Sequence, residues 1–64
     1  MKTKTLKHVL DPDDPSPINT LRCFIDEAAK ERVEWTDAVW DVGWTSNLDN
    51  NYYPFIEITF SKEI

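Results

Sequence analysis

Two side chains of types that are common in catalysis, His8 and Cys23, are each the only residue of their kind in the sequence. Nucleophilic catalysis needs a nucleophile beside a base that a third group orients, and no Ser-His-Asp or Cys-His pattern is recognisable here. We therefore interpret His8 as a partly buried structural histidine and Cys23 as a solvent-facing thiol. One histidine and one cysteine are also too few for a structural zinc site.

The carboxylates are the second group of side chains that could bind a metal ion or act in catalysis. Asp11, Asp13 and Asp14 resemble the start of a calcium loop, but the glycine of its sharp turn and its closing glutamate are missing. Hydrolysis by paired acids needs a cleft, and a 64-residue domain leaves little room for one between the later carboxylates Asp37, Asp41 and Glu57. We expect no enzyme activity, no catalytic residue, no bound metal and no cofactor.

The segment from residue 33 to residue 61 has an unusual composition. It contains no Lys or Arg, five acidic residues and seven of the eight aromatic rings of the chain. So many rings exceed what one small core hides easily, and aromatic surface beside unpaired carboxylates is typical of a binding face. We therefore look for a partner-binding site within this segment.

Length and charge exclude several classes of protein. The 64 residues predict one domain, residues 1–64, and a single cysteine excludes an internal disulfide. A net charge of −5 argues against direct nucleic-acid binding, because phosphates repel an acidic protein. The sequence contains neither a membrane-spanning apolar run nor a signal peptide. We expect a complete small gene product in the cytoplasm.

The elements that must position these residues begin with a strand, predicted from about Thr3 to Leu10. Three prolines make residues 11–17 a loop. A helix follows, with Ser16 as its N-cap and Pro17 as its first residue, and it ends near Arg32. Phe24 flanks its apolar stripe, which consists of Ile18, Leu21, Ile25, Ala28 and Ala29.

Beyond the helix the apolar period changes from 3.6 to 2, which predicts two strands. The first includes residues 38–45 and the second includes residues 55–60, with a hairpin loop from Ser46 to Asn51 between them. Pro54 favours an edge strand or the start of a strand. The prediction is an α+β domain of order β-α-β-β, with one helix on one face of a three-stranded sheet. We favour strand order 1-3-2, with strand 1 antiparallel to strand 3, over strand order 1-2-3.

One helix covers one face of this sheet, and alternation assigns the residues to the two faces. The helix side is predicted to carry Leu6, Leu10, Trp40, Val42, Trp44, Ile56, Ile58 and Phe60. The second face mixes aromatic, apolar and acidic side chains, and its predicted partner-binding residues are Val39, Asp41, Tyr53, Phe55 and Glu57. In the alternative interpretation Tyr53 and Phe55 merely stiffen the hairpin. A register shift of one residue would exchange the two faces.

These features predict a small acidic protein-interaction module that binds and inhibits or modulates a protein partner, which could present a basic surface. In size, charge and coarse architecture it resembles the small inhibitors that phages and mobile elements use against host enzymes or defence systems. A DNA mimic is an alternative, although seven basic residues dilute the twelve acids. A self-associating protein, whose second sheet face forms a homodimer, is another alternative. We expect no membrane partner.

Overall fold

The structure, a computed structural model, describes residues 1–46 and 49–63. Its elements are the strand β1 (Lys2–Val9), the helix α1 (Pro17–Arg32) and the strands β2 (Asp37–Ser46) and β3 (Tyr52–Lys62). The strands form one antiparallel sheet of order β1-β3-β2, and α1 packs on one face of it. The predicted α+β class, element order and strand order are confirmed. Among the described residues, no helix has the length and apolarity that a membrane span requires.

The helix begins where the sequence predicts, but the capping interaction differs from the prediction. Ser16 is the N-cap residue and Pro17 follows it, yet the Ser16 side chain makes no capping hydrogen bond. The Ser16 N–H itself donates to Oδ1 of Asp14 at 2.9 Å. The Thr20 hydroxyl and this N–H together lower the pKa of the Asp14 carboxyl. Asp14 therefore stabilises the loop that leads into the helix.

Within the loop between Ser46 and Asn51, residues 47 and 48 lie outside the described residues.

The helix ends at Arg32 without a glycine. Contacts of Arg32 and Trp35 then fix the path of the chain toward β2. Lys30 and Arg32 lie in its last turn, where positive charge is favourable beside the helix carbonyls. The Arg32 guanidinium donates to the carbonyl oxygen of Trp35 at 2.7 Å. The Trp35 ring then packs on Phe60, with 6.1 Å between the ring centroids. Trp35, which the sequence alone did not assign, closes one end of the core.

Pro54 is the third residue of the central strand β3, so it lies near the start of a strand and not in an edge strand. The Leu10 N–H donates to the Pro54 carbonyl oxygen at 2.8 Å, which shows that the backbone of Pro54 faces β1. Proline has no backbone N–H to donate. At this position the N–H would face β1 just beyond Val9, where β1 ends and the hydrogen bonds between the two strands stop. The proline therefore costs the sheet little.

Of the described residues, four form the buried core: Phe24 and Ala28 from the helix, and Ile58 and Phe60 from β3. The side of the helix that faces the sheet differs from the predicted stripe, because Phe24 is buried whereas Ile18 and Ile25 are exposed. Phe24 is the largest apolar side chain on α1, so turning it inward removes the most apolar surface from water. Partly buried side chains surround the core, namely Leu6, Leu21, Trp35, Ala38 and Ile56.

The prediction that β2 contributes large side chains to the core is wrong, because its helix-side residues are mostly exposed: Trp40 by 52%, Val42 by 71% and Trp44 by 69%. The helix lies toward the opposite edge of the sheet, where Lys4 of β1 forms an ion pair with Glu31 at 2.9 Å. A helix about 10 Å wide covers about two strands spaced about 4.8 Å apart. Trp40 meets the core through an edge contact with the Phe24 ring, at 6.4 Å between centroids.

The Lys4–Glu31 pair leads to a prediction about acid stability. A hydrogen bond from the Lys4 ammonium, supported by one from the Trp35 indole, holds the pKa of Glu31 below its usual value of 4.5. Such a carboxyl stabilises the fold above its unfolded-state pKa, and this contribution is lost as the pH falls through the lower folded-state pKa. We expect Glu31→Gln to reduce the urea midpoint at pH 7 and to flatten its decline between about pH 5 and pH 3.

The matched control is Glu34→Gln, which removes the same charge from an exposed carboxylate just beyond the helix. Its urea midpoint should follow that of the wild type across the whole pH range. If the midpoint of Glu31→Gln declined with pH as steeply as that of the wild type, the stabilising role of the ion pair would be refuted.

Candidate functional site

The sheet face that points away from α1, called the open face below, carries all five predicted partner-binding residues. Residues directly opposite each other in paired strands share a face. In β2 and β3 the opposite pairs are Asp41 with Glu57, Gly43 with Phe55, and Thr45 with Tyr53. Val39 lies opposite Thr59 in the same sheet. The structure thus brings Val39, Asp41, Tyr53, Phe55 and Glu57 together, and their binding role stays a prediction.

Two acidic residues occupy opposite positions at the middle of the open face. Asp41 on β2 lies directly opposite Glu57 on β3, an arrangement in which like charges repel. Lys7 lies opposite Glu57 on its other side, but its ammonium is placed over the Phe55 ring, 4.4 Å from the centroid. Within the described residues the single ion pair joins Lys4 and Glu31, so no lysine or arginine neutralises Asp41 or Glu57.

Phe55 is an aromatic residue near the middle of the open face, and its ring lies against the neighbouring strand β2. Its neighbours across the two pairings are Val9 on β1 and Gly43 on β2. A Cβ atom added at Gly43 would lie 2.9 Å from Cε1 of Phe55, closer than two such carbons can approach. The ring therefore occupies space that only glycine leaves open. This contact gives direct support to the alternative in which Phe55 stiffens the hairpin.

The role of Gly43 was not predicted, although the sequence contains a signal for it. It is the only glycine of the chain and lies within a strand. Glycine inside a strand weakens the strand and often marks a close approach of another group. Here that group is an aromatic side chain on the neighbouring strand, which only the register of the two strands identifies.

The two ends of the open face differ in chemistry. At one end, Val39 is 67% exposed and lies beside Thr59, whose hydroxyl is 3.2 Å from that of Thr5. At the other end, Tyr53 is half-buried opposite Thr45. An incoming side chain would therefore meet apolar and hydroxyl groups on one side of the carboxylates and aromatic rings on the other.

The residues whose types suggested catalysis lie away from the open face. His8 is half-buried and its ring stacks on Phe24 with 5.4 Å between centroids, the structural placement predicted for it. Cys23 is an exposed thiol on α1. Residues 1–46 and 49–63 contain no group of three or more His, Cys, Asp or Glu side chains that could hold a metal ion. That the chain is not an enzyme stays a prediction.

The contact between Gly43 and Phe55 is testable by substitution. Gly43→Ala forces the Phe55 ring to move, and overpacking of this kind should lower the free energy of unfolding by about 1 kcal/mol. In a Phe55→Leu background the added methyl group meets no ring, so the same substitution should be neutral or slightly stabilising. Urea unfolding of the four proteins measures this coupling. An equal cost of Gly43→Ala in both backgrounds would mean that the ring does not need the space.

The chain was compared with known proteins at three levels. No protein-family model matches it. No curated protein matches its sequence, and no solved structure matches its fold. What the open face can bind is therefore inferred from the chemistry of its own side chains.

Proposed function

We propose that this chain is a small acidic protein-interaction module that binds a protein partner through the open face and inhibits or modulates that partner. The observation that supports this most strongly is the pair formed by Asp41 and Glu57. Two carboxylates directly opposite each other repel, and a cation placed between them relieves that repulsion. Binding therefore gains energy that the isolated chain cannot supply from its own side chains.

The groups around the carboxylates indicate which cation fits best. A guanidinium donates two parallel hydrogen bonds and also stacks on aromatic rings, so it matches carboxylates beside Phe55 better than an ammonium does. The exposed Val39 supplies apolar contact next to the charged pair. We infer that the partner presents an arginine, flanked by apolar side chains, from a basic surface.

The charge of the whole chain supports the same kind of partner. A net charge of −5 raises the rate at which a positively charged surface encounters the module. The DNA-mimic alternative receives less support, because a mimic needs rows of acids and the open face carries three: Asp37, Asp41 and Glu57. The exposed thiol of Cys23 is compatible with the reducing cytoplasm, which we propose as the location. An origin in a phage or mobile element remains a hypothesis that rests on size and charge.

The role of the carboxylate pair is tested by capture of partners from a lysate of the source organism. The bait variant Asp41→Asn/Glu57→Gln keeps the shape of both side chains and removes both charges. Capture of the partner should fall at least tenfold, which corresponds to about 1.4 kcal/mol. Quantitative mass spectrometry of the bound proteins, with wild-type bait as the reference, measures the loss.

The control bait is Asp26→Asn/Glu34→Gln, which changes the net charge equally and lies outside the open face. It should capture the same partner at the wild-type level. Equal losses with both baits would mean that net charge alone drives capture, and no loss with either would exclude a role for the carboxylate pair.

Photo-crosslinking identifies the contact face without removing any charge. A benzophenone attached to the cysteine of Cys23→Ser/Val39→Cys reports from the open face, and the same label on the native Cys23 reports from the helix. We expect crosslinks to the captured partner from position 39 and few from position 23. Crosslinks from position 23 alone would place the interface on the helix.

A further inference from the structure

A second unpartnered surface lies along β2, on the sheet face that the helix occupies. Trp40, Val42 and Trp44, called the β2 shelf below, are exposed there because α1 lies over β1 and β3. Ile18 and Ile25 are exposed on α1, on the flank opposite to Glu27 and Glu31, which border β1. The helix-side surface beside β2 therefore has exposed apolar side chains on both of its walls. Contiguous exposed apolar surface of this kind marks an interaction site.

The β2 shelf coincides with an open hydrogen-bonding edge. The Pro54 carbonyl faces β1, so the backbone groups of the alternate residue Ile56 also face β1 and not β2. Val42, opposite Ile56, consequently points its backbone outward, and its N–H donates to Oδ1 of its neighbour Asp41 at 2.9 Å. By alternation the N–H and C=O groups of Trp40 and Trp44 also point outward.

The two edges of the sheet differ in how well they are protected against pairing with another strand. The β1 edge carries Lys2, Lys4 and Lys7, and such charges discourage unwanted strand pairing. β2 contains ten residues without a lysine, arginine or proline. Among the described residues, one side-chain hydrogen bond covers this edge, from the Val42 N–H to the carboxylate of Asp41. A partner strand can replace that contact with a backbone hydrogen bond.

We propose that β2 pairs with β2 of a second copy of this chain, antiparallel and about a two-fold axis through Val42. The axis is perpendicular to the sheet, so the shelves of both copies lie on the same face. Val42 then lies opposite Val42 of the second copy, and Trp40 opposite Trp44. The outward N–H and C=O groups of these residues face each other as hydrogen-bonded pairs.

Charge and length select this register over its neighbours. An axis through Asp41 would place two carboxylates directly opposite each other, which is unfavourable. An axis through Val42 places each Asp41 opposite Gly43, which has no side chain. An axis through Trp40 would leave each Trp44 opposite Thr36, which lies outside the strand. The Val42 register therefore pairs nearly the full length of β2 without a like-charge contact.

The exposed rings of the β2 shelf supply part of the area that a stable interface needs. At about 250 Å² for a whole indole, the exposed fractions of Trp40 and Trp44 amount to roughly 300 Å² per copy. A standard interface buries about 800 Å² per partner. Val42, the paired backbone and the flank of α1 with Ile25 supply further area. The result is a six-stranded sheet on which four indoles lie between two helices.

Solution mass tests the dimer on the full chain. Light scattering after size exclusion, from about 1 to about 100 µM, should show twice the chain mass of 7.5 kDa at the upper concentrations. Val42→Lys should give a monomer over the whole range, because it places a charge on the axis. Val33→Lys, at a site 86% exposed beyond the helix, should remain dimeric. A monomeric wild type at about 100 µM, or a dimeric Val42→Lys, would overturn the proposal.

Val39→Lys distinguishes this dimer from self-association through the open face. It should leave the dimer intact, because Val39 lies on the other face of the same strand. Loss of the dimer in Val39→Lys, with its retention in Val42→Lys, would assign the interface to the open face. These measurements need no partner protein, so their failure is separable from failure of the proposed function.

A disulfide tests the register itself. In Cys23→Ser/Val42→Cys the two introduced cysteines lie across the axis at about 5.5 Å between Cα atoms, within disulfide range. Oxidised glutathione accepts two electrons and two protons from the two thiols, which yields the intermolecular bond and two reduced glutathione molecules. Covalent dimer should form at least tenfold faster than in Cys23→Ser/Val33→Cys. Equal rates, with wild type dimeric, would overturn the axis through Val42.

Discussion

One helix is too narrow for a three-stranded sheet, and most features of this molecule follow from that mismatch. A helix about 10 Å wide lies over about two strands, and α1 lies over β1 and β3. Phe60 and Trp44 point to the same side of the sheet, yet Phe60 is fully buried and Trp44 is mostly exposed. The core is therefore confined to one half of the sheet. Two ring contacts, Trp35 on Phe60 and His8 on Phe24, pack against the margins of this core.

The sheet is consequently asymmetric in chemistry as well as in packing. Its β1 edge is rich in lysine and is tied to the helix through Lys4 and Glu31. Its β2 edge is acidic and aromatic, and the backbone groups of the alternate residues Trp40, Val42 and Trp44 point outward. The central strand β3 has a basic neighbour on one side and an acidic neighbour on the other, because Glu57 lies between Lys7 and Asp41. The two surfaces proposed for binding both include β2, the strand that the helix leaves uncovered.

Much of this architecture was predictable from the sequence, because alternation with a period of two depends on backbone geometry alone. It placed Val39, Asp41, Tyr53, Phe55 and Glu57 on one face, and Pro17 and the change of period fixed the ends of the helix. The lateral position of the helix was not predictable, since periodicity states which face a residue occupies and not whether anything covers it. For the same reason Trp40, Val42 and Trp44 were assigned to the core. The contact of Gly43 with Phe55 depends on the register of β2 and β3, which alternation within each strand does not give.

The position of β3 also determines how this chain can fold. β3 is the last strand in sequence and the central strand in space, so neither β1 nor β2 has a neighbour without it. The pairing of Lys2 with Lys62 closes nearly the whole chain into one loop, and contacts of such long range make folding slow for a domain of this size. An isolated helix of 16 residues is itself marginal in water. During synthesis this sheet therefore cannot begin to form until β3 has been made, because β1 and β2 pair only with β3.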